Sequence, residues 1–327
     1  SGAYTPVSWE EALSLLMVPL KKVKAEAPAS LLMLTEPMRG HAGLVAGRFM
    51  KAFGSAHRVA WNPYGADAML SANAAVHGVR DLPEYDLPNA RYLLSFSGDF
   101  LETGISPVHY ARGYGRMRGD RETIRGKVVH FGPRLSMTAA AADLFLPCAP
   151  GTEGIVALGI AHVMVRDRLT AASAVPGMRA DQLLAYSPEA VERLTGVHAH
   201  DIAAVAEEFA RNQPGIAIPG TGAATSPDGA FHCAAVALLN ALAGNVGKPG
   251  GVSFPNRAQA FAKYGAEAAL LAPSPESGYA GMRAALEKMR GGAFRMAILS
   301  GATNPAFTLP PSLKFNEALS KAPFVVA

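Results

Sequence analysis

The sequence predicts an α/β fold with mostly parallel sheets, on three observations. Short apolar runs alternate with helix-length amphipathic segments, turn residues are in excess, and the chain has the length of two domains. At about 150 residues per domain, 327 residues divide into two, each large enough to bury a core. Gly (33) and Pro (24) demand many turns between short elements, which excludes a long helical bundle. Half of the residues are hydrophobic and only 17% are charged, so the chain is neither disordered nor a coiled coil. A net charge of +4, 8% aromatics and no cluster of Lys and Arg argue against a nucleic-acid surface. The longest apolar stretches, such as 154–161, fall far short of the ~18 residues that a membrane span needs. Two cysteines, Cys148 and Cys233, exclude a disulfide scaffold and a cysteine-held cluster within these residues. Both termini read as internal to a longer polypeptide, with no leader before Ser1 and an apolar, strand-like run at 324–327.

The elements follow in order. Ser8 with Glu11 forms a capping box that opens a helix through Leu13, Leu16 and Leu20, which Pro19 should kink or shorten. Residues 30–34 read as a buried strand, followed by a turn and a helix that Gly54 ends. Asp67 is placed to cap a helix running to Gly78. Strands are expected at 92–97 and 127–131, then a helix from about Thr152 to Arg166. Helices at 201–211, 229–243 and 281–289 flank strands at 215–219 and 295–299. Ser312 is expected to cap the last helix, before the terminal strand.

Four of these strands end in a glycine-containing polar turn. The turns are Ser97-Gly98-Asp99, Gly132-Pro133-Arg134, Gly220-Thr221-Gly222 and Gly301-Ala302-Thr303-Asn304. Open α/β sheets bind ligands beyond the carboxyl ends of their strands, where glycine lets backbone N–H groups approach a phosphate. Any one such loop is commonplace; four together point to an extended nucleotide-like site, present or ancestral. Other candidates are weaker. Thr225 replaces the third glycine of a dinucleotide fingerprint after Gly220 and Gly222, and the run 244–251 lacks the residues of a phosphate loop and reads as a structural turn. His198 and His200, two apart, should diverge on a helix, and no zinc pattern exists. His77 and His162 read as packed core residues, and Cys148 has no evident base beside it.

Several ordered blocks resemble the molybdopterin oxidoreductase superfamily, the group of dimethyl sulfoxide reductase and formate dehydrogenase. Residues 4–13 are similar to the family's YTPISWEEAL. Residues 132–139, Ala142-Asp143 and 150–154 resemble its DPRLSETA, AD and PGTDG blocks. Residues 239–251 resemble LNALTGNIGRPGG. The resemblance covers the whole chain. It implies two interleaved Rossmann-like domains, with residues 1–62 and 199–327 forming one and 63–198 the other. The family cofactor it implies is a molybdenum bis-pterin guanine dinucleotide. The loops that would cradle it are those of Gly98, Asp99, Gly132, Pro133, Arg134, Thr152, Glu153, Gly220, Gly222, Gly301 and Asn304.

Two departures matter. Active members place a metal-ligating side chain at a set distance before a helix-ending glycine. Counting back from Gly78, that position is Gly65, which has no side chain; Asp67 is two positions out of register. The aspartate that recognises a guanine is Gly132 here. Both departures, and the segment 99–108, resemble the molybdopterin-like subunits of alternative complex III and related quinone reductase complexes. That resemblance implies a scaffold with no molybdenum cofactor bound, at the periplasmic face of the membrane. Its implied partners are an iron–sulfur domain or subunit, a haem subunit and membrane subunits that meet quinone. The alternatives are a fragment of an active molybdenum or tungsten oxidoreductase, with Asp67 on the metal, and a domain that binds a smaller nucleotide in the same loops.

Overall fold

A computed structural model of the chain describes residues 4–38, 40–63, 66–119, 125–171, 175–255, 278–301 and 304–327. Its first half runs α1 (Trp9–Glu26), β1 (Leu31–Thr35), α2 (Gly40–Phe53), β2 (Arg58–Ala60), α3 (Ala66–His77), β3 (Glu84–Tyr85), β4 (Tyr92–Phe96), α4 (Pro107–Gly119) and β5 (Lys127–Gly132). Next come α5 (Met137–Ala140), β6 (Leu144–Pro147), α6 (Glu153–Arg166), α7 (Pro188–Thr195), α8 (Ala199–Arg211), β7 (Gly215–Pro219), α9 (Thr221–Ala224), α10 (Gly229–Leu242) and β8 (Val252–Ser253). After these come α11 (Gly278–Arg290), β9 (Met296–Ser300), α12 (Pro305–Thr308), α13 (Phe315–Leu319) and β10 (Phe324–Val326). The chain forms two compact units, Ser1–Pro63 with Asn256–Ala327, and Tyr64–Pro255.

The first unit holds a parallel sheet in the order β10-β9-β1-β2. Strand β1 is buried throughout, and its alternation sorts the two faces. Leu32 and Leu34 pack with Met282, Leu286 and Phe315; Leu31 and Met33 pack with Val23, Met50 and Phe53. The capping box of α1 is formed, with Ser8 Oγ accepting from the Glu11 N–H and Glu11 Oε2 from the Ser8 N–H. Pro19 does not shorten this helix: the chain stays helical to Glu26, and Leu15, whose carbonyl loses its donor, is exposed to water. Ser312 is not a cap either. It lies in a 3₁₀ turn, and Lys314, in the left-handed region, precedes α13.

The second unit holds the parallel sheet β6-β5-β4-β7 and a separate antiparallel ribbon of β3 and β8. Tyr92, Leu94 and Phe96 face α6, α8 and α10, whereas Leu93 packs with Val128, Ile216 and residues of α4 on the other side. Residues 199–255, expected in the first domain, lie in this unit, where β7 pairs with β4 along its whole length. The edge of β7 is sealed by a side chain. Buried Asn240 of α10 accepts from the Ala217 N–H and donates to its carbonyl, both at 2.8 Å. Asn245 donates to Gln213 at 2.6 Å and to the Gly215 carbonyl, so the asparagines of the 239–251 block serve as latches on β7. Three of the four glycines of that block, Gly244, Gly247 and Gly250, have φ of 66°, 75° and 75°, in keeping with a structural turn.

Candidate functional site

Every strand of both main sheets is parallel, so each sheet has one carboxyl edge, and the predicted loops lie along these edges. In the second unit the chain leaves β4 through Ser97, whose φ of 49° is unusual for a residue with a side chain. Its N–H donates to the Phe131 carbonyl at 2.7 Å, and its hydroxyl donates to Glu153 Oε1 at 2.7 Å. Glu153 opens α6 and is 1% exposed. The next N–H, of Gly154, donates to His232 Nδ1 at 3.0 Å, which places any ring proton of a neutral His232 on Nε2. Two buried atoms here have no partner, Glu153 Oε2 and His130 Nδ1. Burial is the main cause that lowers the His130 pKa to about 4, with Asp99 opposing and Arg134 adding to the shift, so the ring is neutral at pH 7.

Around this buried group the predicted loops close on one another. Arg134 donates to Asp99 at 2.6 Å and lies 3.8 Å from Glu102. Thr152, expected to start α6, is its N-cap residue but turns its hydroxyl back to the Ala149 carbonyl at 2.6 Å. Pro133 lies exposed beside Arg134. A Cβ on Gly220 would sit 1.7 Å from the Ser97 carbonyl oxygen, one on Gly222 2.9 Å from Ser97 Cβ, and one on Gly98 2.9 Å from Ser95 Oγ. At Gly132 it would meet His130 Nε2 at 3.0 Å and Ser97 Oγ at 3.1 Å. The space that these glycines leave is taken by neighbouring loops, not by an open cradle. On the side that a Cβ would take, these glycines meet protein and leave no room for a ligand.

The carboxyl edge of the first unit differs. Thr35 ends β1 at 4% exposure, and its hydroxyl has no partner. It borders a cavity of about 370 Å³, together with Trp61, Leu299, Ser300, Gly301 and Asn304. Trp61 Nε1 donates to Thr308 Oγ1 at 2.8 Å, and that hydroxyl donates to the Asn304 carbonyl at 3.0 Å, which fixes the indole. Asn304 Oδ1 accepts from the Ala306 N–H at 2.9 Å. Gly301 has a φ of 115°, with Glu36 against the position of its missing Cβ at 3.0 Å.

Of the remaining candidates, Gly65 lies outside the described residues, as do Ala302 and Thr303. Asp67 does not cap α3 but lies in its first turn, half-buried. Cys148 is buried, which pushes its thiol up to about 12 and removes it as a nucleophile. His198 and His200 do not diverge: His198 is the N-cap residue of α8, and the rings stack at 5.6 Å. Each pairs with its own carboxylate, Glu192 and Asp201. Among the described residues no three His, Cys, Asp or Glu side chains are grouped to hold a metal ion, and no helix is long and apolar enough to cross a membrane. Sequence reasoning missed Thr35, Trp61, His130 and His232, and named Ser97 only as part of a turn. A signal existed for Thr35, since β1 also runs from apolar residues into a polar turn with glycine, at 35–40.

Two parallel sheets, each with its loops at one carboxyl edge, define an open-sheet α/β protein. The match of a molybdopterin oxidoreductase family model to residues 1–327 is more specific: the chain belongs to that family. It is 27% identical to the menaquinone reductase molybdopterin-binding-like subunit of Nitratidesulfovibrio vulgaris (strain Hildenborough), over all of this chain and 46% of that protein. With the arsenate respiratory reductase molybdopterin-containing subunit of Shewanella sp. (strain ANA-3) it shares 23% identity, over 80% of this chain and 34% of that one. In fold it matches acetylene hydratase from Pelobacter acetylenicus, with a TM-score of 0.70 and 18% identity, over 99% of this chain and 50% of the hydratase. The chain thus spans about half the length of these proteins or less.

Proposed function

We propose that this chain is a scaffold domain of a respiratory, quinone-linked electron-transfer complex and works without a molybdenum cofactor of its own. The observation that carries this reading is the closure of the second unit's strand ends. Ser97 is bonded to Glu153, Arg134 to Asp99, and Gly220 is in backbone contact with Ser97, where a dinucleotide would need open glycine faces. Gly132 in place of a guanine-reading carboxylate, and Gly65 in place of a metal ligand, support it from the sequence. Full-length coverage by a subunit named molybdopterin-binding-like, from a menaquinone reductase, supports the quinone link.

In this reading the electrons travel through other modules: an iron–sulfur domain or subunit, a haem subunit and membrane subunits that meet quinone, on the periplasmic face. The chain's own residues hold shape. The Ser97–Glu153 bond and the Asn240 latch fix the sheet edges against which such modules would be ordered. The test is quinone reduction by the intact complex from cells grown with tungstate in place of molybdate and from cells starved of both metals. The expected activity per complex is unchanged in both. Loss of activity on starvation, restored by molybdate, would favour the alternative of an active oxidoreductase with Asp67 near the metal.

A further inference from the structure

Helix α1 carries an apolar surface that the first unit leaves in water. Between Ala12 and Leu20 only Ser14 is polar. By the helical period, Trp9, Leu13, Leu16 and Leu20 share one face of α1, and Leu15 and Val18 lie on the other side. Leu16 and Leu20 are half-buried against the cluster of Val23, Met50 and Phe53. Their face runs on past that cluster, with Trp9 86% exposed and Leu13 55%. Leu15 and Val18 are exposed as well, and among the described residues of the helix only Val23 is buried. A surface helix keeps a polar side, whereas one that is apolar nearly all round belongs to an interior. Nor is the start of α1 frayed, because the Ser8–Glu11 capping box fixes its first turn and so holds Trp9 in place.

We propose that α1 is covered in the complete protein by an apolar segment of the same polypeptide from outside residues 1–327. Length makes such a cover available: the matched relatives extend well beyond this chain, which spans 46% of one and 34% of another. The chemistry of the helix favours the same polypeptide over a separate subunit. Continuous aliphatic surface with an exposed tryptophan, left open while a chain awaited its partner, would invite aggregation. A segment of the same polypeptide closes over it as the protein folds. Interfaces that form and part are more polar than this, and a helix apolar on two sides resembles a core cut in half. The proposal concerns the packing of α1 alone and is independent of how electrons cross the complex.

Photo-cross-linking of the full-length protein tests it, with p-benzoylphenylalanine in place of Leu13 or of Val18. The products are expected at monomer mass, joined to peptides outside residues 1–327, in protein freed from its complex. The wild-type protein, freed and dilute, gives a second measurement that needs no substitution. Hydroxyl-radical oxidation of Trp9 should be at least roughly tenfold slower than in urea, as for a side chain uncovered in fewer than about one molecule in ten. The proposal is overturned if oxidation is slowed by less than about tenfold, which would leave the face in water. It is equally overturned if the cross-links run to another residue of 1–327, to a second copy, or to a different subunit and only within the complex. None of these outcomes bears on whether quinone reduction needs molybdenum, so the two readings fail separately.

Discussion

The two carboxyl edges of this chain are built from the same plan and have come to opposite states. In the second unit, glycines at the strand ends let loops press against loops, and the polar side chains pair with one another. In the first, a cavity remains and a buried hydroxyl stands unpaired at its border. A glycine at a strand end therefore announces close approach without saying what approaches; only packing tells whether it is a ligand or the protein itself.

Alanine at the two kinds of glycine gives the sharpest contrast. Gly220→Ala drives a methyl into the Ser97 carbonyl, which only backbone movement can relieve, and should cost about 3 kcal/mol or more in denaturant unfolding. Gly301→Ala meets the flexible Glu36 side chain, which can give way, so its cost comes from the strain of a φ of 115° and should be about 1–2 kcal/mol. Similar losses at both positions would erase the distinction between the two edges.

Acid should act through the closed edge. His130 titrates at about 4 in the folded protein against 6.5 when unfolded, so between these values the unfolded chain binds the extra proton. Its contribution to stability is whole above pH 6.5 and is lost as pH falls toward 4, by up to about 3 kcal/mol. Urea unfolding across that range should show the slope, and His130→Phe should flatten it.

Smaller effects probe the remaining bonds. Ser97→Ala leaves Glu153 Oε1 without its donor and should cost about 2 kcal/mol; Ser97→Gly should cost about 1 kcal/mol less, because glycine accepts the φ of 49° without strain. Arg134 is 66% exposed at its side chain, so Arg134→Ala should change unfolding by less than about 1 kcal/mol.

What could be read from the sequence follows the range of the interactions involved. The capping box of Ser8 and Glu11 and strands such as β4 and β7 were legible because neighbouring residues decide them. Strands β2, β3 and β8, at two or three residues each, are too short to show a period. The sheet that β7 joins is set by pairing with a strand more than a hundred residues away, so residues 199–255 were expected in the wrong domain. His198 and His200 were expected to diverge because their spacing was read on a helix, whereas the first of them stands outside it. For the site, the strand-end loops were legible as places. Their state was not, since the Ser97–Glu153 bond and the Gly220 contact depend on how separate loops meet.

The chain is proposed to work without a molybdenum cofactor. Elemental analysis for molybdenum and tungsten, with fluorescence of the oxidised pterin, on the intact protein purified from its native complex addresses it most directly. The account predicts neither metal nor pterin above a few hundredths of an equivalent per chain, on the order of background. One equivalent of metal with two of pterin would contradict it.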